Sequence, residues 1–262
     1  MPANNPTACL LVIGNEVLSG RTRDANIQFL ATGLGNLGIP LREVRIIPDV
    51  RETIIDTVNE VRRKFDYVFT TGGIGPTHDD ITSECVAAAF GVPWEHHPVA
   101  WPRMEAAYKP GEFNTARQRM ATMPRGATLI ENDISVAPGF QIGNVYVMAG
   151  VPRIMQSMFV WLAPRLQGGA KIEMRAVHVF GLPEGVLAEG LEAVQARHPD
   201  LDIGSYPFYR VGSHGVTLVA KGPDAAAADR AIAEVTELIT GFGKVPIPGE
   251  PPEPSAGEGP EE

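Results

Sequence analysis

Cysteine is scarce: the 262 residues hold only Cys9 and Cys85, far apart and each among apolar neighbours. Two such thiols form neither a disulfide framework nor a metal-ligand spacing, and they read as buried free thiols of a reducing compartment. Long apolar runs are also missing. Ala8 to Ile13 is among the longest, far short of the roughly 20 residues a membrane-spanning helix needs. Met1 to Thr7 is short, polar and proline-containing, which is no secretory signal. A basic excess is absent too. Lys and Arg number 22 against 31 Asp and Glu, for a formal charge of −9, so nothing draws the chain to a phosphate backbone in general. These absences predict a soluble, cytoplasmic protein with neither a membrane nor a nucleic acid as partner.

What is present is ordinary globular composition, 44% hydrophobic and 20% charged, which excludes wholesale disorder and fibrous repeats. The length predicts two modest domains. The charge is uneven. Val245 to Glu262 hold five Glu, six Pro and no other charged residue, so residues 245–262 are expected to form a disordered acidic, proline-rich tail.

Ala8 to Ile13 is continuously apolar and ends at Gly14, the pattern of a strand buried on both faces. Ile27, Leu30, Ala31, Leu34 and Leu37 then recur at helical spacing until Gly38 and Pro40 stop them. Leu41–Ile47 reads as a strand, Ile54 to Phe65 as a helix, Tyr67–Thr71 as a strand and Ile81 to Val92 as a helix. Strictly alternating strands and helices imply a mainly parallel sheet covered on both faces. Residues 95–125 are polar and Pro-rich, with short helices expected at Trp101–Tyr108 and Asn114–Met123. Strands at Thr128–Ile130 and Val145–Met148 and a helix from Arg153 to Leu166 complete a first domain over residues 1–168. Residues 169–244 change character to a β-α-β-β-α module: strand Met174–Phe180, helix from Pro183, strands Leu201–Ser205 and Val216–Ala220, helix Pro223–Thr240. Gly212-Ser-His-Gly215, between the last two strands, reads as a hairpin turn.

In open parallel sheets, ligands bind outside the carboxyl ends of the strands. After the first strand stand Glu16, Asp24 and Asn26; after the second, Asp49; after the third, Thr71-Gly72-Gly73-Ile74-Gly75-Pro76-Thr77-His78-Asp79-Asp80-Ile81-Thr82. Three glycines in four residues let a backbone approach a ligand closely, and consecutive N–H groups form an anion nest. The helix that follows points its positive end at the same edge. That suits a phosphate or diphosphate. The alternative for the glycines is a tight strand-to-helix turn with an Asp cap. Adjacent Asp79 and Asp80 exceed what one cap requires and predict a divalent cation, Mg²⁺ or alternatively Co²⁺ or Mn²⁺, held with ligand phosphates and water. Glu16, Asp24 and Asp49 could add oxygens or a general base. Arg117 is a candidate phosphate clamp. His78 reads as a spectator and His96-His97 as structural.

Gly14-Asn-Glu-Val-Leu-Ser-Gly20 with Asp24 and Asn26, then Thr71-Gly-Gly-Ile-Gly-Pro-Thr-His-Asp-Asp-Ile-Thr82, resemble the molybdopterin-binding domain superfamily, and within it the competence/damage-inducible CinA family. Asn114-x-x-Arg117-Gln118, Ala137-Pro-Gly139-Phe140 and Gly150-Val-Pro152 resemble that family's later motifs in order, and Phe180-Gly-Leu182 with Ile203-Gly-Ser-Tyr-Pro207 resemble its KH-like middle domain. The resemblance implies a three-layer α/β sandwich followed by a small α+β domain. It also implies ligand-binding roles for Thr71, Gly72, Gly73, Gly75, Asn26, Thr82, Asn114, Arg117, Gln118 and Gly139, and a homodimer or other homo-oligomer. Molybdopterin-pathway relatives bind or adenylylate molybdopterin, and their acids match Asp49 and Asp80. The CinA branch implies metal-dependent hydrolysis of ADP-ribose to AMP and ribose phosphate. The chain departs from the family in three places. Ile154 stands where the family has Glu, and Arg117 where it has Lys. The acidic tail stands where full-length members carry a nicotinamide-nucleotide amidase domain, so that activity is expected to be absent. The leading expectation is a nucleotide-diphosphate pyrophosphatase. A non-catalytic molybdopterin or nucleotide binder comes second, and a molybdopterin adenylyltransferase third.

Overall fold

The computed structural model describes residues 5–210 and 213–252. The chain forms two compact units, Met1–Ala170 and Lys171–Glu262.

The first unit opens with β1 (Ala8–Ile13), a short α1 (Asn15–Leu18), α2 (Asn26–Asn36), β2 (Leu41–Ile47), α3 (Arg51–Lys64), β3 (Tyr67–Thr71) and α4 (Thr82–Phe90). There follow β4 (Trp94–His96), α5 (Ala100–Ala107), α6 (Thr115–Arg119), β5 (Thr122–Pro124), β6 (Thr128–Ile130), β7 (Gly139–Ile142), β8 (Val145–Met148) and α7 (Pro152–Leu162). Six strands pair in the order β2-β1-β3-β8-β7-β6. The first four are parallel, and β7 and β6 add antiparallel pairs. The alternation along β1 builds the layers. Cys9, Leu11 and Ile13 join Ile54, Val58, Val61, Cys85 and Val86 of α3 and α4. Ala8, Leu10 and Val12 join Leu30 and Leu34 of α2 and Met155, Met158 and Phe159 of α7. The result is helix, sheet, helix, the three-layer sandwich expected. Each fully buried aliphatic side chain adds about 1.5–3 kcal/mol, and both faces of β1 contribute.

Three local expectations are corrected. Asn114–Met123 is not one helix: α6 stops at Arg119, and Thr122–Pro124 is the strand β5, which pairs antiparallel with β4. β7 was not foreseen. The last helix ends at Leu162 and tightens into a 3₁₀ turn over Ala163–Arg165, because Pro164 offers no N–H to continue an α-helical ladder. Both cysteines are buried and free, as expected.

The second unit comprises β9 (Glu173–Phe180), α8 (Ala188–Arg197), β10 (Asp202–Arg210), β11 (Ser213–Gly222), α9 (Ala225–Gly241) and β12 (Ile247–Pro248), in sheet order β10-β11-β9-β12. Val177, Val179, Val216, Leu218 and Ala220 pack against Val194, Ala231, Val235 and Ile239 of the two helices. Asp224 caps α9 by accepting from the Ala226 and Ala227 amides at 2.9 and 3.2 Å. β10 and β11 run longer than expected and pair out to Arg210 with Ser213; of the turn assigned to Gly212-Ser-His-Gly215, residues 213–215 are instead strand, and Gly212 lies outside the described residues. Disorder from residue 245 onward does not hold over the first part of the tail. Ile247 and Pro248 pair with β9, and the Gly249 amide donates to Ala176 O at 2.9 Å. Proline is tolerated there because the strand lies at a sheet edge. Residues 253–262 lie outside the described residues. Among the described residues no helix is long and apolar enough to cross a membrane.

Candidate functional site at the switch point

β1 connects to β2 on one side and β3 pairs on the other, so the crevice at the carboxyl ends of β1 and β3 is the switch point where open α/β sheets bind ligands. Gly14 leaves β1 there, and Gly72 leaves β3. Gly72 has φ +99° and Gly73 φ +67°, a region L side chains rarely adopt. Contacts enforce the choice as well. A Cβ on Gly72 would lie 2.1 Å from the Ile13 carbonyl oxygen, and one on Gly73 2.1 Å from Thr82 Oγ1. The turn is tied down by the Gly72 amide on Met148 O (3.2 Å) and the Thr82 amide on Gly73 O (2.9 Å).

The loop then folds around Thr77. Asp80 Oδ2 accepts from the Thr77 amide at 2.7 Å and from its hydroxyl at 2.6 Å, and the same hydroxyl meets Asp79 Oδ1. That bond from Thr77 holds the Asp79 carboxyl below the usual carboxylate range. Neither acid caps α4: its N-cap is Ile81, without a side-chain bond. The cap alternative for this pair therefore gives way to a turn closed by Asp80. A Cβ on Gly75 would lie 2.6 Å from Asp80 Oδ2, so the glycine makes room for this carboxylate.

Asp49 enters from the end of β2 and accepts the Asn15 amide at 2.8 Å. Burial pushes its carboxyl up despite that bond, and the charges of Glu16, Asp79 and Asp80 push the same way. Four of the predicted acids thus share one electrostatic neighbourhood. Among the described residues, however, no group of three or more His, Cys, Asp or Glu side chains is arranged to hold a metal ion. Any cation would take Asp79 and Asp80 plus oxygens brought by ligand and water, which is the usual way for Mg²⁺.

Asp24 is the fifth acid, and one of its oxygens is engaged at the start of α2. Its Oδ1 accepts the Asn26 and Ile27 amides at 3.1 and 2.8 Å, so it closes the first turn of α2 as a cap does. Glu16 is exposed and folds back over Gly14. A cleft of about 50 Å³ lies alongside, lined by Glu16, Asp24, Asn26, Thr71, Gly72 and Gly150 among others. Asn26 and Thr71 are 4% and 1% exposed. Asn26 Oδ1, Thr71 Oγ1 and Thr82 Oγ1 are buried without a hydrogen-bond partner, a costly condition unless a ligand or water completes it.

The Asn114–Arg119 segment redistributes its expected roles. Asn114 is the N-cap of α6, accepting the Arg117 amide at 3.1 Å. Arg117 turns away: it donates to Glu112 O at 2.6 Å and lies 4.4 Å over the Tyr108 ring. Gln118 is held by its bond to Phe113 O (2.9 Å) and lines an open groove of about 670 Å³ with Trp94, His96 and Arg119. The arginine that reaches the loop is Arg119. It donates to Asp80 O at 3.1 Å, lies 5.3 Å over Trp94, and keeps a buried Nε without a partner. Residues two apart on a helix face opposite ways, so Arg117 and Arg119 do not both face the loop. Gly139 is the first residue of β7. It sits inside the sheet, where a Cβ would lie 2.4 Å from Val147 O. His97 Nδ1 accepts the Val99 and Ala100 amides at 3.2 Å each, at the entry to α5.

Residues 9–168 match the family described as "Probable molybdopterin binding domain", and residues 174–245 match "FAD synthase, middle domain". A protein of Archaeoglobus fulgidus is 31% identical over 88% of this chain and 96% of its own length. A CinA-like protein of Anaeromyxobacter dehalogenans is 31% identical over 91% of this chain. The chain belongs to the CinA branch of the molybdopterin-binding domain family. It spans 62% of the length of that CinA-like relative and 50% of another from Desulfosudis oleivorans, 35% identical over 74% of this chain. A crystal structure of the protein CinA, of unknown function, from Thermoplasma acidophilum superposes with a TM-score of 0.58 at 28% identity, over 62% of this chain and 99% of that one. The switch-point residues described above fall inside the first matched segment.

Proposed function

We propose that the chain is a divalent-metal-dependent nucleotide-diphosphate pyrophosphatase acting on compounds of the ADP-ribose type. The observation that carries the reading is the gathering of Glu16, Asp49, Asp79 and Asp80 around a loop whose two positive-φ glycines hold its backbone open to a diphosphate. Asp79 and Asp80 fit a cation, since both carboxylates converge on the Thr77 hydroxyl. A bound Mg²⁺, Co²⁺ or Mn²⁺ would supply charge neutralisation at the phosphates and a more acidic water. The loop backbone and the N-terminus of α4 orient the diphosphate. Arg119 balances its charge from the far side of the loop. Glu16, exposed and with no capping task, takes the proton of the attacking water. Burial pushes the Asp49 carboxyl up, and the charges of Glu16, Asp79 and Asp80 add to that push. With Mg²⁺, Co²⁺ or Mn²⁺ the protein should release AMP from ADP-ribose, and Asp80→Ala should abolish release. Folded wild type that is inert across a panel of nucleotide diphosphates would overturn the enzyme reading. A homodimer is proposed with it, and light scattering decides that point.

One observation favours a second reading, molybdopterin or nucleotide binding without turnover: the acids do not form a ready metal cage. Saturable ligand uptake by calorimetry with no product on chromatography would decide for it.

A further inference from the structure

We infer that the outer edge of β2 is where two copies of this chain join, strand to strand and antiparallel, about a two-fold axis at Val44. The inference rests on the homodimer reading above and assigns its surface and register.

β2 ends the sheet of the first unit, and among the described residues no strand lies beyond it. The Gly14 amide donates to Ile47 O at 3.2 Å. Backbone groups two residues apart along a strand turn the same way. Glu43, Arg45 and Ile47 therefore bond to β1, and Val44 and Ile46 turn their N–H and C=O groups outward. The side chains of those two are exposed as well, at 38% and 40%. A free edge carrying β-branched side chains is a template for a further strand, and monomers usually blunt it with lysine, proline or a bulge. Here Pro40 and Pro48 stand outside the strand. The register shift against β1 falls at Arg42 and leaves Glu43–Ile47 regular.

The residues along this edge select a copy of themselves. An antiparallel ladder sets outward-turned residues opposite one another, so for two identical strands the axis can lie at Glu43, Val44 or Arg45. An axis at Glu43 puts Glu43 against the partner's Glu43 and Ile46 against the partner's Pro40. An axis at Arg45 puts Arg45 against the partner's Arg45 and Pro48 against the partner's Arg42. Like charges directly opposite are destabilising, and proline has no N–H for the ladder. The axis at Val44 removes both faults. Glu43 then faces the partner's Arg45 on either side of the axis, Leu41 meets the partner's Ile47, and the prolines fall beyond the ends. Ile46 lies opposite the partner's Arg42, whose aliphatic stem covers apolar surface. Within one copy Glu43 pairs with Lys64 and Arg45 with Glu60, so the cross-strand pairs join two charge clusters that are each neutral in sum.

The test is the mass of the whole chain against concentration, by sedimentation equilibrium. Wild type should be a dimer. A residue on the axis faces its own copy, so Val44→Lys and Val44→Glu should each weaken self-association about tenfold or more. Their equimolar mixture should regain dimers, now with one chain of each kind. Ile46 faces Arg42 and not itself, so Ile46→Lys should weaken the dimer and Ile46→Glu should leave it intact. Both positions are exposed, and the variants should keep the wild-type circular dichroism spectrum. A wild-type dimer that neither Val44 variant perturbs, or a mixture of the two that regains no dimer, overturns the β2 assignment and leaves the homodimer reading standing. Wild type that stays monomeric overturns both. Mass carries no information on hydrolysis, so the pyrophosphatase reading stands or falls separately.

Discussion

Replacing Gly72 by alanine tests the loop geometry directly. The residue sits at φ +99°, where a side chain costs about 1–3 kcal/mol. Its Cβ would lie 2.1 Å from the Ile13 carbonyl oxygen. That atom is backbone of β1, which pairs with β3 along its length, so relief requires two central strands to separate by about 1 Å, with overpacking of about 1–3 kcal/mol. Gly72→Ala should therefore lose about 2–6 kcal/mol, with about 4 kcal/mol as the central value. Gly91→Ala is the control. Gly91 ends α4 at φ +65° with nothing within 4 Å of the new atom, so only the left-handed penalty of about 1–2 kcal/mol applies. From the central values, about 4 against about 1.5 kcal/mol, and at about 2–4 °C per kcal/mol for a chain of this size, the two variants should differ in Tm by about 5–10 °C in thermal unfolding followed by circular dichroism. Variants that melt within 1 °C of each other would refute the steric argument and with it the rigidity assigned to the loop.

Other outcomes follow from the same geometry. Asp49→Asn keeps an acceptor for the Asn15 amide and removes a carboxylate raised chiefly by burial. The folded pKa lies above the unfolded one, so the charged form is penalised at neutral pH and the penalty fades as pH falls through the carboxylate range. The variant should be more stable than wild type at pH 7–8 and lose that advantage toward pH 4 in urea titrations; an advantage that grows on acidification would contradict this. Arg119→Ala should weaken diphosphate binding by about tenfold or more, while Arg117→Ala stays within about twofold; calorimetry that ranks them the other way returns the clamp to Arg117. Burial pushes the thiols of Cys9 and Cys85 up to about 12 and about 11. A thiol reagent at pH 8 should label neither in the native protein and both in denaturant, and rapid native labelling would show that the core is open.

The long elements were legible because their signals are local. Ala8–Ile13, Leu41–Ile47 and Tyr67–Thr71 are strands over the same residues that their apolar pattern marks. β4 and β5 were not legible. Each has three residues, and what makes them strands is mutual pairing at a separation of about thirty positions, which no window of sequence contains. The site divides the same way. Glycines and clustered acids mark the loop, and the structure brings Glu16, Asp49, Asp79 and Asp80 together. The motif could not tell Arg117 from Arg119, because the early end of α6 decides which one faces the loop. Nor could it show that Asp24 is engaged by two amides, since a capping acid and a catalytic acid have the same letter. The unpaired oxygens of Asn26 and Thr71 had no sequence signal at all; they exist only by subtraction, once every other bond is known.

β12 has a consequence for association. Sheet edges template further strands when they present free N–H and C=O groups. On the β9 side of the second unit that place is taken by two residues, one of them Pro248, which has no N–H to lend to a newcomer. Such a stub ends the ladder instead of extending it. Copies of this chain that meet through the second unit therefore find that border closed to strand pairing at Val177 and His178.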